Sequence, residues 1–176
     1  SSVMYLRLTV LLLLFNRVLF DRLAVLFTVL GVLGVAGGSV WVLLGQRKLE
    51  AGQEREAASN KNPLQISTAF VFATLFVGIL MATRAAFEWF GTAGLYILAG
   101  IMGLVDVDPF ILGLTQTSNA GDLVAAAAAA IVVATASNNL AKAGYATFFG
   151  GWPLGRYAAI ALAAMSGLSL LALWVL

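Results

Sequence analysis

The residues best equipped for chemistry in this chain of 176 are two aspartates, Asp106 and Asp108, followed at once by Pro109. They interrupt the stretch TAGLYILAGIMGLVDVDPFILGLTQTS (92–118), which is otherwise apolar. An ionisable side chain at the centre of a membrane helix costs about 2.5–3.5 kcal/mol on insertion scales, so two of them call for a reason. Proline cannot continue an i→i−4 ladder and disfavours helix at the residue before it, so the segment is expected to be a broken or re-entrant helix. A break of this kind frees backbone carbonyls and helix ends, and transporters build ion sites from such breaks. Aspartates beside free carbonyls suit a hard cation such as Mg²⁺ or Ca²⁺, or a proton, which makes Asp106 and Asp108 candidate metal ligands. The plainer alternative is a polar loop that reaches the surface, its aspartates capping the next helix.

A second group follows on the next apolar segment. Thr135, Asn138, Lys142 and Tyr145 are spaced by three, four and three residues, which puts them on one helix face, with Ser137 and Asn139 beside it. Either the Asn pair bonds between helices while Lys142 snorkels to an interface, or Lys142 is the intramembrane partner of Asp106 or Asp108, with Asn138 completing the hydrogen bonding. Arg84 and Glu88, one turn apart beside Trp89 and Phe90, read as an interfacial anchor or as a counter-ion facing the bundle interior.

The elements that must hold these residues are helices in a bilayer. Apolar residues make up 61% of the chain and charged ones 10%, against about 25% charged in a typical soluble domain, too few to cover a water-facing globule. A lipid-spanning helix needs roughly 20 mainly apolar residues. The pattern predicts one transmembrane domain over 1–176: a partial span at 3–15, spans at 23–44 and 64–90, the broken segment 92–118, and spans at 120–149 and 154–176. A single helix from Val3 to Leu44 would be about 63 Å long, twice the hydrocarbon core, so a break is expected within 16–22, where NRVLFDR carries three charges. Asn62-Pro63 is a helix start, with Asn at the cap and Pro at the first helical position. Gly31, Gly34 and Gly38 form a small-residue stripe of the kind that lets two membrane helices pack closely. The polar segment 47–62 has four basic residues and belongs in the cytoplasm by the positive-inside rule.

Much is excluded. Without cysteine or histidine the chain has no disulfide, thiolate nucleophile, Fe–S cluster, imidazole metal ligand or Ser-His-Asp triad. No nucleophile elbow, phosphate loop or zinc helix is present. Aspartates two residues apart do not reproduce an intramembrane protease dyad, whose carboxylates come from separate helices. No enzyme is expected, and no cofactor beyond a divalent cation. A net charge of +2 does not suggest nucleic acid.

Three local patterns, NPLQISTAF opening a span, GTAGLYILAGIMGLVDVD, and ATASNNLAKAGYATFFGG, together resemble the C-terminal membrane domain of unknown function of MgtC/SapB-type bacterial proteins. The likeness runs from MYLR onward over essentially the whole chain. It implies a multi-pass protein of the bacterial inner membrane with a link to magnesium handling, and an N-terminal module preceding residue 1 in a longer protein. Pro109 departs from the pattern, which has a small residue such as Ala there.

The sequence therefore reads as an all-α, polytopic membrane helix bundle with one broken or re-entrant helix. The expected function is cation transport or homeostasis, magnesium being one candidate, with Asp106, Asp108, Asn138, Asn139 and Lys142 as the ion or charge network. The competing reading is an accessory or scaffolding subunit whose glycine faces pack against partners. The lipid bilayer is the expected surrounding, with a homo-oligomer or larger membrane complex as the expected assembly.

Overall fold

A computed structural model of the chain describes residues 2–45, 66–118, 122–149 and 152–174. Among them every regular element is a helix: α1 (Ser2–Phe15), α2 (Arg17–Gly45), α3 (Ile66–Val105), α4 (Val107–Thr117), α5 (Asp122–Phe149) and α6 (Trp152–Leu171), ending in a 3₁₀ turn at Ala172–Trp174. Four stretches are long and apolar enough to cross a membrane, Arg17–Ser39, Ala73–Val105, Leu123–Phe149 and Gly155–Trp174, while Val3–Phe15 is shorter. The protein is a polytopic helical membrane protein. The polar segment 47–62 and the Asn62-Pro63 helix start lie outside the described residues.

Three reversals set the architecture. The first is at Asn16, within the expected break, so the helix expected over 23–44 already starts at Arg17. Asn16 Oδ1 accepts from the backbone N–H of Leu19 at 3.0 Å, which caps α2. The Tyr5 and Phe27 rings lie 5.5 Å apart, whereas 22 residues of unbroken helix would hold them about 33 Å apart. Helix α2 therefore doubles back along α1.

The second reversal is at Gly91, inside α3, where the backbone takes φ 60° and ψ −146°. Positive φ is where a glycine is required, because an L side chain is strained there. The chain folds back so sharply that a Cβ on Gly94 would overlap the Ala86 carbonyl and come within 2.6 Å of Phe90 Cβ. The third reversal is at Asp106, which is extended at φ −155° and ψ 123°. Leu95, before it, lines one cavity with Leu114 and Thr117, after it; a straight course would separate Leu95 from Thr117 by about 33 Å. Residues 92–117 thus form a helical hairpin that leaves by the end of the bundle from which it enters, with Asp106 at its tip.

Helices α1 and α4 lie side by side and run the same way: Arg7 meets Asp108 near their starts, and Asn16 donates to the carbonyls of Thr115 (3.0 Å) and Ser118 (2.9 Å) at their ends. Each short helix is followed by a long one, α2 or α5.

Helix α5 is the axis of the bundle. Of its apolar window 67% is buried, against 11–28% for the other three spans, because the alanines of 125–130 let neighbours approach closely. The outward faces carry large apolar side chains such as Val25, Val29, Ile160 and Leu168, as lipid contact requires.

The glycine stripe of α2 divides. Gly31 is buried and Gly34 half-buried, but Gly38 is exposed and a Cβ there would meet nothing within 4 Å. The expectation of a packed face therefore needs correcting at Gly38, which no described neighbour covers. Gly34→Leu is expected to lower the detergent melting temperature by several degrees, about 1–3 kcal/mol of overpacking. Gly38→Leu is the control and should leave it unchanged; equal losses from both would mean that α2 is held otherwise.

Candidate functional site

The hairpin tip follows from its residue types. Asp106 is the N-cap of α4, its carboxylate accepting from the Asp108 N–H at 3.2 Å, and it faces the positive end of that helix. Pro109 falls in the first turn of α4, where a missing N–H leaves no ladder bond broken. Val107 and Phe110 are buried and pin the tip to the bundle.

Helix α5 holds the other arm. Gly103 packs so closely on α5 that a Cβ would overlap the Ala134 carbonyl and reach 2.6 Å from Ser137 Cβ. Asn138 Nδ2 donates to the Gly103 carbonyl at 2.9 Å, and Ser137 Oγ to the Gly100 carbonyl at 2.7 Å. Gly103 is among the last four residues of α3, whose carbonyls have no partner within the helix, so Asn138 satisfies a group that the break sets free.

The charges are arranged differently from the sequence expectation. Asp108 Oδ2 is paired with the Arg7 guanidinium of α1, not with Lys142. Lys142 is half-buried on α5, and among the described residues its hydrogen-bond contact is the Met4 sulfur at 3.5 Å, a weak acceptor. Lys142 and Asp106 nevertheless face one cavity of about 380 Å³, bounded also by Met4, Arg7, Val107 and Asn138. Consecutive segments are usually neighbours, and that rule pointed to Lys142; a helix about 100 residues upstream supplies the closer cation.

Buried acceptors without partners among the described residues include Asp108 Oδ1, Asn138 Oδ1 and Asn139 Oδ1. Asn139 lies away from the cavity. Its Nδ2 donates to the Tyr5 hydroxyl at 2.7 Å, and Tyr5 and Ser169 share a hydrogen bond of 3.2 Å. Because Ser169 Oγ donates to the Met165 carbonyl at 2.6 Å, the Tyr5 hydroxyl is the donor to Ser169, and the chain ties α5 to α1 and α6.

Thr135 donates to the Val132 carbonyl of its own helix at 2.9 Å, and Tyr145 is exposed beside Phe149, so neither belongs to the cavity. Arg84 and Glu88 line a separate cavity of about 220 Å³ at the opposite end of the hairpin. Sequence reasoning missed Arg7, Met4, Tyr5 and Ser169. The available signal was Arg7, a lone cation within the apolar run 3–15.

No group of three or more His, Cys, Asp or Glu side chains exists among the described residues. Asp106 and Asp108 alone, one of them engaged by arginine, offer fewer oxygens than the six to eight that Mg²⁺ or Ca²⁺ takes, so water or carbonyls would have to complete any metal shell.

Among curated proteins the chain is similar to an uncharacterized protein of Aquifex aeolicus (strain VF5), 34% identical over 106 residues, a stretch covering 60% of this chain. That match takes in 46% of the relative's length, so the chain corresponds to less than half of it. No solved structure matches. Residues 1–150 fit the family model described as Domain of unknown function (DUF4010), and the chain belongs to that family.

Proposed function

We propose that this domain transports a small ionic solute across a bacterial inner membrane and that the solute passes through the cavity at the hairpin tip. The observation that carries this reading is the hairpin itself: a helix broken in mid-bundle at ionisable residues, its freed ends beside a polar cavity. Irregular backbone at membrane depth is tolerated only where protein buries it or a water-filled cavity borders it. Discontinuous membrane helices are where transporters bind substrate, and here the break between α3 and α4 meets α1 at the cavity. Cation handling, magnesium included, is one form of this reading, the one that a resemblance to MgtC/SapB-type proteins would imply; it would need Arg7 to release Asp108. An accessory subunit is the second reading, favoured by Gly37 and Gly38, which present an open small-residue surface on α2.

Purified protein in liposomes should pass ions or small solutes faster than empty liposomes, and Asp106→Asn should reduce that flux at least tenfold. Flux no greater than in empty liposomes for every ion and solute tried overturns the proposal.

The same reading fixes topology. With residues 92–117 entering and leaving by one end, the linkers before α3 and before α6 fall on the same side, cytoplasmic by the charge of 47–62. The chain has no cysteine, so Glu54→Cys and Gly151→Cys can be labelled singly. Both are expected to resist an impermeant maleimide in intact cells and to react once the membrane is opened. Labelling of one and not the other would mean that the hairpin crosses.

A further inference from the structure

We infer that the cavity at the hairpin tip binds a small zwitterion, a solute with a carboxylate at one end and an ammonium at the other. The inference rests on the transport reading for its biological sense but on the cavity alone for its chemistry. Size is the first consideration. A cavity of about 380 Å³ holds about a dozen waters at roughly 30 Å³ each, far more than a bare ion needs, and falls within the range of small-molecule pockets.

Charge is the second. Arg7 and Lys142 contribute two positive charges, Asp106 and Asp108 two negative ones, so the tip is already neutral. Net charge is costly to hold at membrane depth, and an incoming divalent cation would meet two fixed cations. A solute that is neutral overall yet charged at both ends disturbs this balance least.

The third consideration is what remains unpartnered. Lys142 carries three N–H donors and has only a thioether as hydrogen-bond contact among the described residues. Asn138 is 8% exposed; its Nδ2 is committed to Gly103, and its Oδ1 is buried behind the wall without a donor. Asp108 Oδ1 is also buried without a partner. The walls themselves offer free donors on Lys142 and, on the exposed Asp106 carboxylate, free acceptor sites beside the one that takes the Asp108 N–H. A carboxylate on Lys142 and the outer N–H groups of Arg7, with an ammonium on the Asp106 carboxylate, would use both. A simple anion leaves the acceptors unused, and a simple cation leaves Lys142 unused.

The test is the melting temperature of the full chain in detergent with glycine, β-alanine or γ-aminobutyrate, a series that varies the separation of the two charges. Acetate, methylammonium and magnesium chloride serve as half-ligands at the same concentrations. At least one zwitterion should raise the melting temperature by several degrees and each half-ligand by much less. Lys142→Met should abolish the zwitterion shift while melting cooperatively on its own. An equal shift from acetate means an anion site, and an equal shift from methylammonium or magnesium means a cation site; either overturns the inference, as does the absence of a shift from all three zwitterions. Liposome flux is read separately, so cation flux without zwitterion binding sinks this inference and spares the transport reading. Zwitterion binding without any flux does the reverse.

Discussion

Arg7→Met is expected to destabilise the protein in detergent by about 1–3 kcal/mol, and Asp108→Asn by a similar amount, while the double variant loses less than the sum of the two. Removing one member of a desolvated ion pair leaves the other charge without compensation, typically at a cost of about 3–5 kcal/mol. The cost here falls between that range and the roughly 0–1 kcal/mol of an exposed pair, because the Arg7 side chain is 56% exposed and borders the cavity, where water can reach it. Asp108 is more enclosed at 25%, and its second oxygen already lacks a partner, so losing Arg7 removes the direct partner of its carboxylate. The measurement is a double-mutant cycle by chemical denaturation in mild detergent. Lys142→Met belongs in the same series, and it should couple to Asp108 far more weakly than Arg7 does. Strict additivity of Arg7→Met and Asp108→Asn would show that the pair contributes nothing to holding α1 against α4.

Gly103→Ala is expected to be as damaging, by a different route. Its one methyl group has nowhere to go, because the Ala134 carbonyl and Ser137 Cβ occupy the position. Backbone on one side and a side-chain stem on the other cannot rotate away, so the second arm of α3 must lift from α5. That movement stretches the bond from Asn138 to the Gly103 carbonyl and leaves buried polar groups unpartnered, at about 1–3 kcal/mol each, in addition to about 1–3 kcal/mol of overpacking. Gly100→Ala, one turn earlier on the same arm, would place its methyl where nothing lies within 4 Å. It should be neutral or slightly stabilising, since alanine favours helix over glycine by up to about 1 kcal/mol. A melting temperature that falls for Gly103→Ala and holds for Gly100→Ala identifies the close contact; equal behaviour of the two variants would place the arm further from α5.

These residues also mark how far the sequence could be read. The membrane environment followed from composition, since 10% charged residues cannot clothe a soluble domain of this length. The break at Asp106 was legible because two ionisable groups and a proline adjoin in an apolar run, and each opposes continuous helix for its own reason. The reversal at Gly91 was not. The chain has 18 glycines, and nothing local separates Gly91, which has positive φ, from the described ones inside regular helix. The pairing of Asp108 escaped for a different reason: its partner is 101 residues away, and periodicity carries no information over such a distance. The glycine stripe failed at Gly38 because the pattern records which residues share a face but not which of them a neighbour covers.

The polar contacts between helices far apart in sequence constrain how the protein can be made. Tyr5 finds its partners 134 and 164 residues later, and Arg7 finds Asp108 101 residues later. At about 5–20 residues per second, the ribosome needs roughly 5–20 s to deliver Asp108 after Arg7 has emerged. Throughout that interval the first hairpin carries a guanidinium and a phenol hydroxyl that lipid cannot satisfy. The nascent chain therefore has to be sheltered at the insertion machinery, or held with Arg7 at the headgroups, until α4 and α5 arrive. A chain that stops before α4 is left with an orphaned cation in an apolar helix, the kind of defect by which membrane quality control recognises unfinished proteins.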